Sequence, residues 1–469
     1  MKYGWLLVGV LALLGLGYLQ FSTPYIIDKD GYVHSTYSLT YDTHMVYSSY
    51  VDLNILYHLL LFPFVVFDPM TGAKVSAMVF SLLFTLTLYF LLKKQEVLFP
   101  ELWALSMFFA TYMFLFRLSQ PKAFPLGLCL LLLSYYCIRE NKSFFLGVTS
   151  FVFVYVYPAF PLVLLLLILH SFMYNKISLS LYKSYFIGVI AAIIFNPFFP
   201  KNIKILFYQI FGNIFLPSSE LAGTEWSAFP SFFSFIEVTW PLLLLVLTGI
   251  FFYLSFPKEK ETLYFLILTL FFALAAYSSK RFVEYFVPFA TLFIAISFSS
   301  FLKKRYENNF FVFFTKKITK RAVLAILMLF LLFPAYQTIS YAKENIYINI
   351  ETKKPYAFQQ CAEWLAQHTE EGEIIFSHWA DYPVLYFYNQ HNRYIVGFDP
   401  MFLYVYDKNL FYVYENLLLS KQPNPKIMLQ KKFNTKKVMS PTYRKEFIAY
   451  LLNNGFKPVY QDKYCVLLE

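Results

Sequence analysis

Charge is scarce in this chain. Only 14% of its 469 residues are Asp, Glu, Lys or Arg, against 58% hydrophobic, and the mean hydropathy is +0.52. Those values lie outside the soluble globular range and predict a polytopic α-helical membrane protein. Cysteine is scarcer still, with four residues. Cys129 and Cys137 sit in apolar runs, Cys361 and Cys465 lie far apart in the tail, and no spacing suits a zinc site or a redox motif. A Cys361–Cys465 disulfide requires the tail to lie outside the cytoplasm. The first apolar segment lacks a small-residue cleavage pattern, since Tyr18, Gln20 and Phe21 close it. It reads as an uncleaved span. No internal repeat is evident.

Aromatic residues abound instead, 57 Phe and 40 Tyr, as suits rings that fill a helix bundle and its two water interfaces. Apolar runs of about 17 to 21 residues, enough to cross the hydrocarbon layer, fall at 3–21, 74–92, 101–117, 121–138, 182–199, 240–256, 262–278, 282–302 and 322–340. The longer run 143–174 is broken by YPAFP and divides into two short spans turning at Pro158 and Pro161. About eleven transmembrane helices result.

With Lys2 in the cytoplasm, the strongly basic loops all fall inside: Lys93 with Lys94, Arg139 with Lys142, Lys176 with Lys183, Lys258 with Lys260, and 303–321. The formal charge of +11 is thereby explained by topology and implies no nucleic-acid partner. Residues 51–69, VDLNILYHLLLFPFVVFDP, carry Asp52, Asn54 and His58 among leucines and aromatics, and read as an amphipathic helix lying in the headgroup layer. The first outer loop then spans 22–71. The chain divides into a transmembrane domain, 1–340, and a soluble extracytoplasmic α/β domain, 341–469. In that tail FQQCAEWLAQHT and TYRKEFIAYLLNNG read as helices, the second ended by Gly455, while GEIIF, RYIVGF and YCVLLE read as strands. The expected location is the cell (inner) membrane, with the amino terminus cytoplasmic and the carboxy-terminal domain outside.

The densest chemistry follows the first span, in PYIIDKDGYVHSTY, residues 24–37. An extended Asp28-Lys29-Asp30 would put both carboxylates on one side of a strand. There they could share a divalent cation, Mg or Mn, or one could act as general base with its pKa raised by the other. The plainer reading is a charged helix end followed by an Asp30-Gly31 turn. Lys280 and Arg281 head a span at its outer mouth, suited to an anionic lipid phosphate. Glu284, one turn inside, is a costly intramembrane carboxylate. Arg117 and Lys122 flank the outward turn RLSQPK, where both can also snorkel. The long outer loop carries Glu220, Glu225 and Trp226 in a Gly/Ser/Pro-rich context that suits either a lid or a connector.

An acidic motif in the first outer loop, an interfacial helix, many further spans and an outward α/β domain together resemble the GT-C superfamily of membrane glycosyltransferases. That superfamily includes the oligosaccharyltransferase catalytic subunit, protein O-mannosyltransferases and the lipid A aminoarabinose transferase. In the tail, Trp379, Ala380, Asp381, Tyr382 and Pro383 are similar in layout to the oligosaccharyltransferase Trp-Trp-Asp-Tyr-Gly motif, without its middle Trp and its Gly. The family's second acidic motif is missing, because 117–122 contains no carboxylate.

The resemblance implies an integral membrane glycosyltransferase. It would move a sugar from a polyprenyl-phosphate or polyprenyl-diphosphate donor to a lipid, glycan or protein acceptor on the extracytoplasmic face. Asp28 or Asp30 would be the base. Arg281, Lys280, Lys122 and Arg117 would hold the phosphate, and Tyr32, His34, His58, Glu284, Glu225, Trp379, Asp381 and Tyr382 would be candidates for substrate contact. His34 and His58 could position the acceptor or be ordinary interfacial polar residues. The rival readings are a lipid-linked glycan transporter or flippase, which would favour midplane charges and paired repeats, and a glycan polymerase.

Overall fold

The structure, a computed structural model, describes residues 3–215, 226–255, 259–305 and 317–469. It comprises two compact units that are not successive in sequence. One is formed by Met1–Thr23, Ser76–Asn196 and Ser218–Tyr347, the other by Pro24–Val75, Pro197–Pro217 and Ile348–Glu469.

The first unit is built from helices. Among the described residues four helices are long and apolar enough to cross a membrane: Pro69–Lys94, Phe232–Leu254, Lys260–Ser278 and the run Lys280–Lys303. The span expected at 101–117 is instead two helices, Pro100–Ala110 and Tyr112–Leu118, bent by 98°. The cause is local. Thr111 is extended, with φ −163° and ψ 140°, and its hydroxyl accepts from Met113 N–H to start the second helix. The run 143–174 divides where the prolines predict, with Tyr157 extended between Ser143–Val156 and Leu162–Tyr174.

Gly4–Gln20, Phe124–Arg139 and Leu179–Ile194 are also apolar but no longer than 17 residues. At about 1.5 Å per residue these helices fall short of a hydrocarbon layer about 30 Å thick. The eleven expected crossings are therefore not all present as spans of full length. Val283–Arg305 forms the buried centre, packed by Phe232–Leu254, Lys260–Ser278 and Pro100–Ala110. Its Phe286, Val287, Phe289, Ala290, Leu292 and Phe293 are all fully enclosed. The helices around it also show leucine and phenylalanine outward, for example Leu247, Phe251 and Leu274. Apolar residues on both faces are what a lipid solvent requires.

The second unit joins the first outer loop to the tail around a five-stranded sheet. Its strands are β1 (Ile374–Phe376), β2 (Arg393–Tyr394), β3 (Lys437–Pro441), β4 (Pro458–Gln461) and β5 (Cys465–Leu468), in the order β2-β1-β3-β5-β4. β1 runs parallel to β2 and β3, while β5 is antiparallel to β3 and β4. The uninterrupted CVLL of β5 is buried along its whole length, as its central place demands. Helix Gln359–His368 packs on the sheet, and a Cys361–Cys465 disulfide pins it to β5 with the Cα atoms 6.3 Å apart.

Helix Lys445–Asn453 ends at Gly455, whose φ of +84° is open to glycine at no cost. β3, β4 and several short helices between 382 and 433 lacked a clear period in the sequence. Ile55–Val65 is the helix expected in 51–69; it buries Tyr57, His58, Leu61 and Val65 and turns Leu59, Leu60 and Phe62 outward. In the outer segment expected as a lid or connector, Lys201–Phe215 is a helix. Glu220 and Glu225 lie outside the described residues.

Candidate functional site

Asp28, Lys29 and Asp30 do not form the extended strand expected of them. Asp28 sits in the left-handed region at φ +75°, Lys29 is already helical, and Asp30 opens the helix Asp30–Thr40. The reversal at Asp28 sends the two carboxylates into different surroundings. Such a conformation is costly for a residue other than glycine and persists only where its neighbours hold it. Asp28 is 6% exposed, and Lys353, the last residue of its helix, donates to its Oδ1 at 2.6 Å.

Asp30 is more open, in the first turn of its helix, where the helix dipole favours a negative charge. Its charge reaches a partner that the sequence did not reveal. Burial pushes the Asp399 carboxyl up to about 6, and the Asp30 carboxylate adds to the shift. Asp399 also accepts from Met401 N–H at 2.8 Å, just before the short helix Met401–Tyr406. Its only sequence signal is the GFDP turn composition.

Lys29 points the other way, into a second charged cluster. Its ammonium donates to Ala380 O at 2.9 Å and to Asp381 Oδ1 at 3.3 Å, and burial lowers its pKa despite the carboxylate. Arg444 stands 3.4 Å from the other oxygen of the buried Asp381. His378 is pulled down to about 4 by burial, with Arg444 adding to the effect. Trp379 stacks beside His378 at 5.4 Å. In the segment expected to contact substrate, Asp381 thus stands between two cations, Lys29 and Arg444. Tyr382 lies in the core, stacked on Tyr386 and donating to Thr43 O. Tyr32 is likewise fully buried, with its hydroxyl accepting from Ile26 N–H at 3.2 Å.

His34 and His58 are joined rather than scattered at an interface. His34 Nδ1 is 2.8 Å from His58 Nε2, and His58 Nδ1 is 2.9 Å from Asp52 Oδ2. Among the described residues no group of three or more His, Cys, Asp and Glu side chains stands placed to hold a metal ion. At Asp28 the Lys353 ammonium already supplies the positive charge a cation would bring. Among the described residues that donor set does not fit a divalent ion.

In the first unit Glu284 is fully buried and forms an ion pair with Arg117, whose guanidinium also lies over the Phe124 ring at 5.6 Å. A buried carboxylate in this setting needs that cation. Arg281, in the 3-10 turn Lys280–Phe282, donates to Tyr157 Oη at 2.8 Å and lies 4.5 Å from the Trp226 ring centroid. Tyr157 bridges onward to Glu284 Oε2 at 3.4 Å. Lys280 donates to Ser227 Oγ at 3.1 Å, and Lys122 is half-buried in the turn after Leu118.

No protein-family profile matches the chain, and no characterised protein matches it by sequence. Its fold, by contrast, has clear likenesses. The chain is mostly helical, with multiple apolar helices and a small carboxy-terminal sheet, and this fold is similar to that of solved structures. Two of the similar solved structures are of ArnT from Cupriavidus metallidurans. The crystal structure bound to undecaprenyl phosphate gives a TM-score of 0.55 at 12% identity, covering 100% of this chain and 98% of that one. The apo crystal structure gives 0.56 at 13% identity with the same coverage.

Proposed function

We propose that the protein is an integral inner-membrane glycosyltransferase, crossing the membrane about eleven times with its amino terminus inside. It transfers a sugar from a polyprenyl-phosphate or polyprenyl-diphosphate donor to an acceptor hydroxyl on the extracytoplasmic face. One observation carries this reading: the fold likeness runs over the whole chain to a protein solved with undecaprenyl phosphate bound.

Asp30 is the general base. It is the more open of the two loop carboxylates, and its neighbour Asp399 favours holding a proton nearby. Asp28 is the structural acid, tied to Lys353, that holds the chain reversal. Arg281 binds the donor phosphate. Its fork is oriented by Tyr157 and the Trp226 face, which favours planar, bidentate capture of an oxyanion.

The test is consumption of lipid-linked sugar by the full chain in vesicles. The substrate is the polyprenyl-phosphate-linked sugar fraction extracted from the producing cells' membranes. Asp30→Asn should abolish turnover with donor binding retained, and Arg281→Ala should weaken donor binding by about tenfold to a hundredfold. Asp28→Asn should act chiefly on folding yield. Full turnover in Asp30→Asn refutes the base assignment, and no consumption by the unaltered protein refutes the transfer reading.

A further inference from the structure

Within the first unit, Glu284 is fully buried at the start of the helix Val283–Arg305, and its two oxygens meet different partners. Oε1 accepts from the Arg117 guanidinium, itself 6% exposed. Oε2 accepts from the Tyr157 hydroxyl at 3.4 Å. A carboxylate only accepts, so this contact turns the phenol proton towards Glu284 and leaves a lone pair of Tyr157 Oη for another donor. Arg281 Nη2 donates to that oxygen at 2.8 Å. The order Arg117, Glu284, Tyr157, Arg281 therefore runs from the interior to a partly exposed guanidinium.

The tyrosine is also held by its ring. Tyr157 is the extended residue that follows Ser143–Val156, and its ring lies against the helix Phe124–Arg139. There Gly127 makes the room, since a Cβ at 127 would stand 2.7 Å from Tyr157 Cδ1. A guanidinium fixed before its ligand arrives loses less freedom on binding than one that must be ordered by it. Glu284 gives the network its direction. Arg281 can only donate, so a phenol proton turned towards it would break the contact, and the carboxylate prevents that turn.

We propose that Tyr157 and Glu284 are positioning residues of the donor site: Glu284, anchored by Arg117, sets the direction of the Tyr157 hydroxyl, and Tyr157 sets the Arg281 guanidinium for the donor phosphate. This rests on the sugar-transfer reading above, with Arg281 as the phosphate ligand. Glu284, expected as a substrate contact, acts through Arg281 instead. Arg117, expected on the phosphate, is the counter-ion that keeps the buried carboxylate charged.

Binding of undecaprenyl phosphate by the full chain in detergent tests this, with undecaprenol as the uncharged control and thermal unfolding measured beside each variant. Tyr157→Phe keeps the ring and removes the hydroxyl. It should weaken undecaprenyl phosphate binding about threefold to tenfold, the worth of one hydrogen bond, and leave undecaprenol binding as it was. Glu284→Gln should do the same. In the vesicle assay both should raise KM for the donor by that factor and keep kcat within about twofold, whereas a loss of folded protein lowers kcat instead. In an Arg281→Ala background the same substitutions should change binding by less than about twofold, because they act through the group already removed. Should Glu284→Gln not fold, Arg117→Gln with Glu284→Gln removes both buried charges together, which is tolerated better than removing one, and carries the same expectation. The inference is overturned if Tyr157→Phe and the Glu284 variants bind undecaprenyl phosphate as the unaltered protein does while Arg281→Ala does not. It is equally overturned if their losses persist in full in the Arg281→Ala background. No binding by the unaltered protein, or parental binding by Arg281→Ala, instead overturns the donor reading.

Discussion

Asp399→Asn should stabilise the second unit at neutral pH and not in acid. The carboxyl rises from an ordinary 3.8 to about 6 on folding, through burial first and the Asp30 charge second. At 1.36 kcal/mol per pH unit that is at most about 3 kcal/mol, and the residual exposure of the side chain brings the expectation to roughly 1–3 kcal/mol. The folded state binds this proton more tightly than the unfolded chain does. Its stabilising effect is therefore complete below pH 3.8 and is lost as pH rises through about 6. Nearby in sequence, His378 does the opposite: with a folded pKa of about 4 against 6.5, it costs stability as pH falls from 6.5 towards 4.

The two slopes offset each other in the unaltered protein. Asparagine can keep the hydrogen bond from Met401 N–H, so the substitution removes the charge and little else. Thermal unfolding of the full chain in detergent, followed by tryptophan fluorescence, reads the effect; Trp364 and Trp379 report on this unit. We expect Tm at pH 7 to rise by about 2–4 °C for each kcal/mol. The gain should vanish by pH 4, and the variant should show the His378 slope uncovered. A Tm difference that is the same at every pH, or a loss at pH 7, refutes the reasoning.

Two further outcomes follow from packing and cross-linking. Replacing both Cys361 and Cys465 by serine opens a loop with a sequence separation of 104 and should cost the second unit roughly 2–5 kcal/mol. An unchanged melting curve with and without reductant would sink that expectation. In the first unit, Gly188→Val should loosen the pairing of Ser143–Val156 with Leu179–Ile194. A Cβ at 188 would overlap the Gly147 carbonyl oxygen, and such overpacking costs about 1–3 kcal/mol. Parental thermal stability of that variant in detergent would show that the helices can shift apart freely.

Hydropathy is a property of neighbouring residues, so the sequence alone disclosed the apolar, many-helix class, most helix positions, and the turn at Pro158 and Pro161; the expected architecture also agrees with the ArnT-like fold. It also marked the loop 24–37 as a dense set of ionisable groups. The bend at Thr111 escaped it, because one extended residue leaves the average hydropathy of 101–117 untouched. So did the different surroundings of Asp28 and Asp30. Those depend on Lys353, 325 positions away, which pairs with Asp28, and on Asp399, whose carboxyl the Asp30 charge helps to raise. His34, His58 and Asp52 were visible as polar residues among leucines, yet nothing in their spacing fixed which ring nitrogen meets which. Composition selects the solvent a chain folds in. The partner of each buried charge is chosen by three-dimensional closure, since an ion pair's energy depends on distance in space and not on distance along the chain.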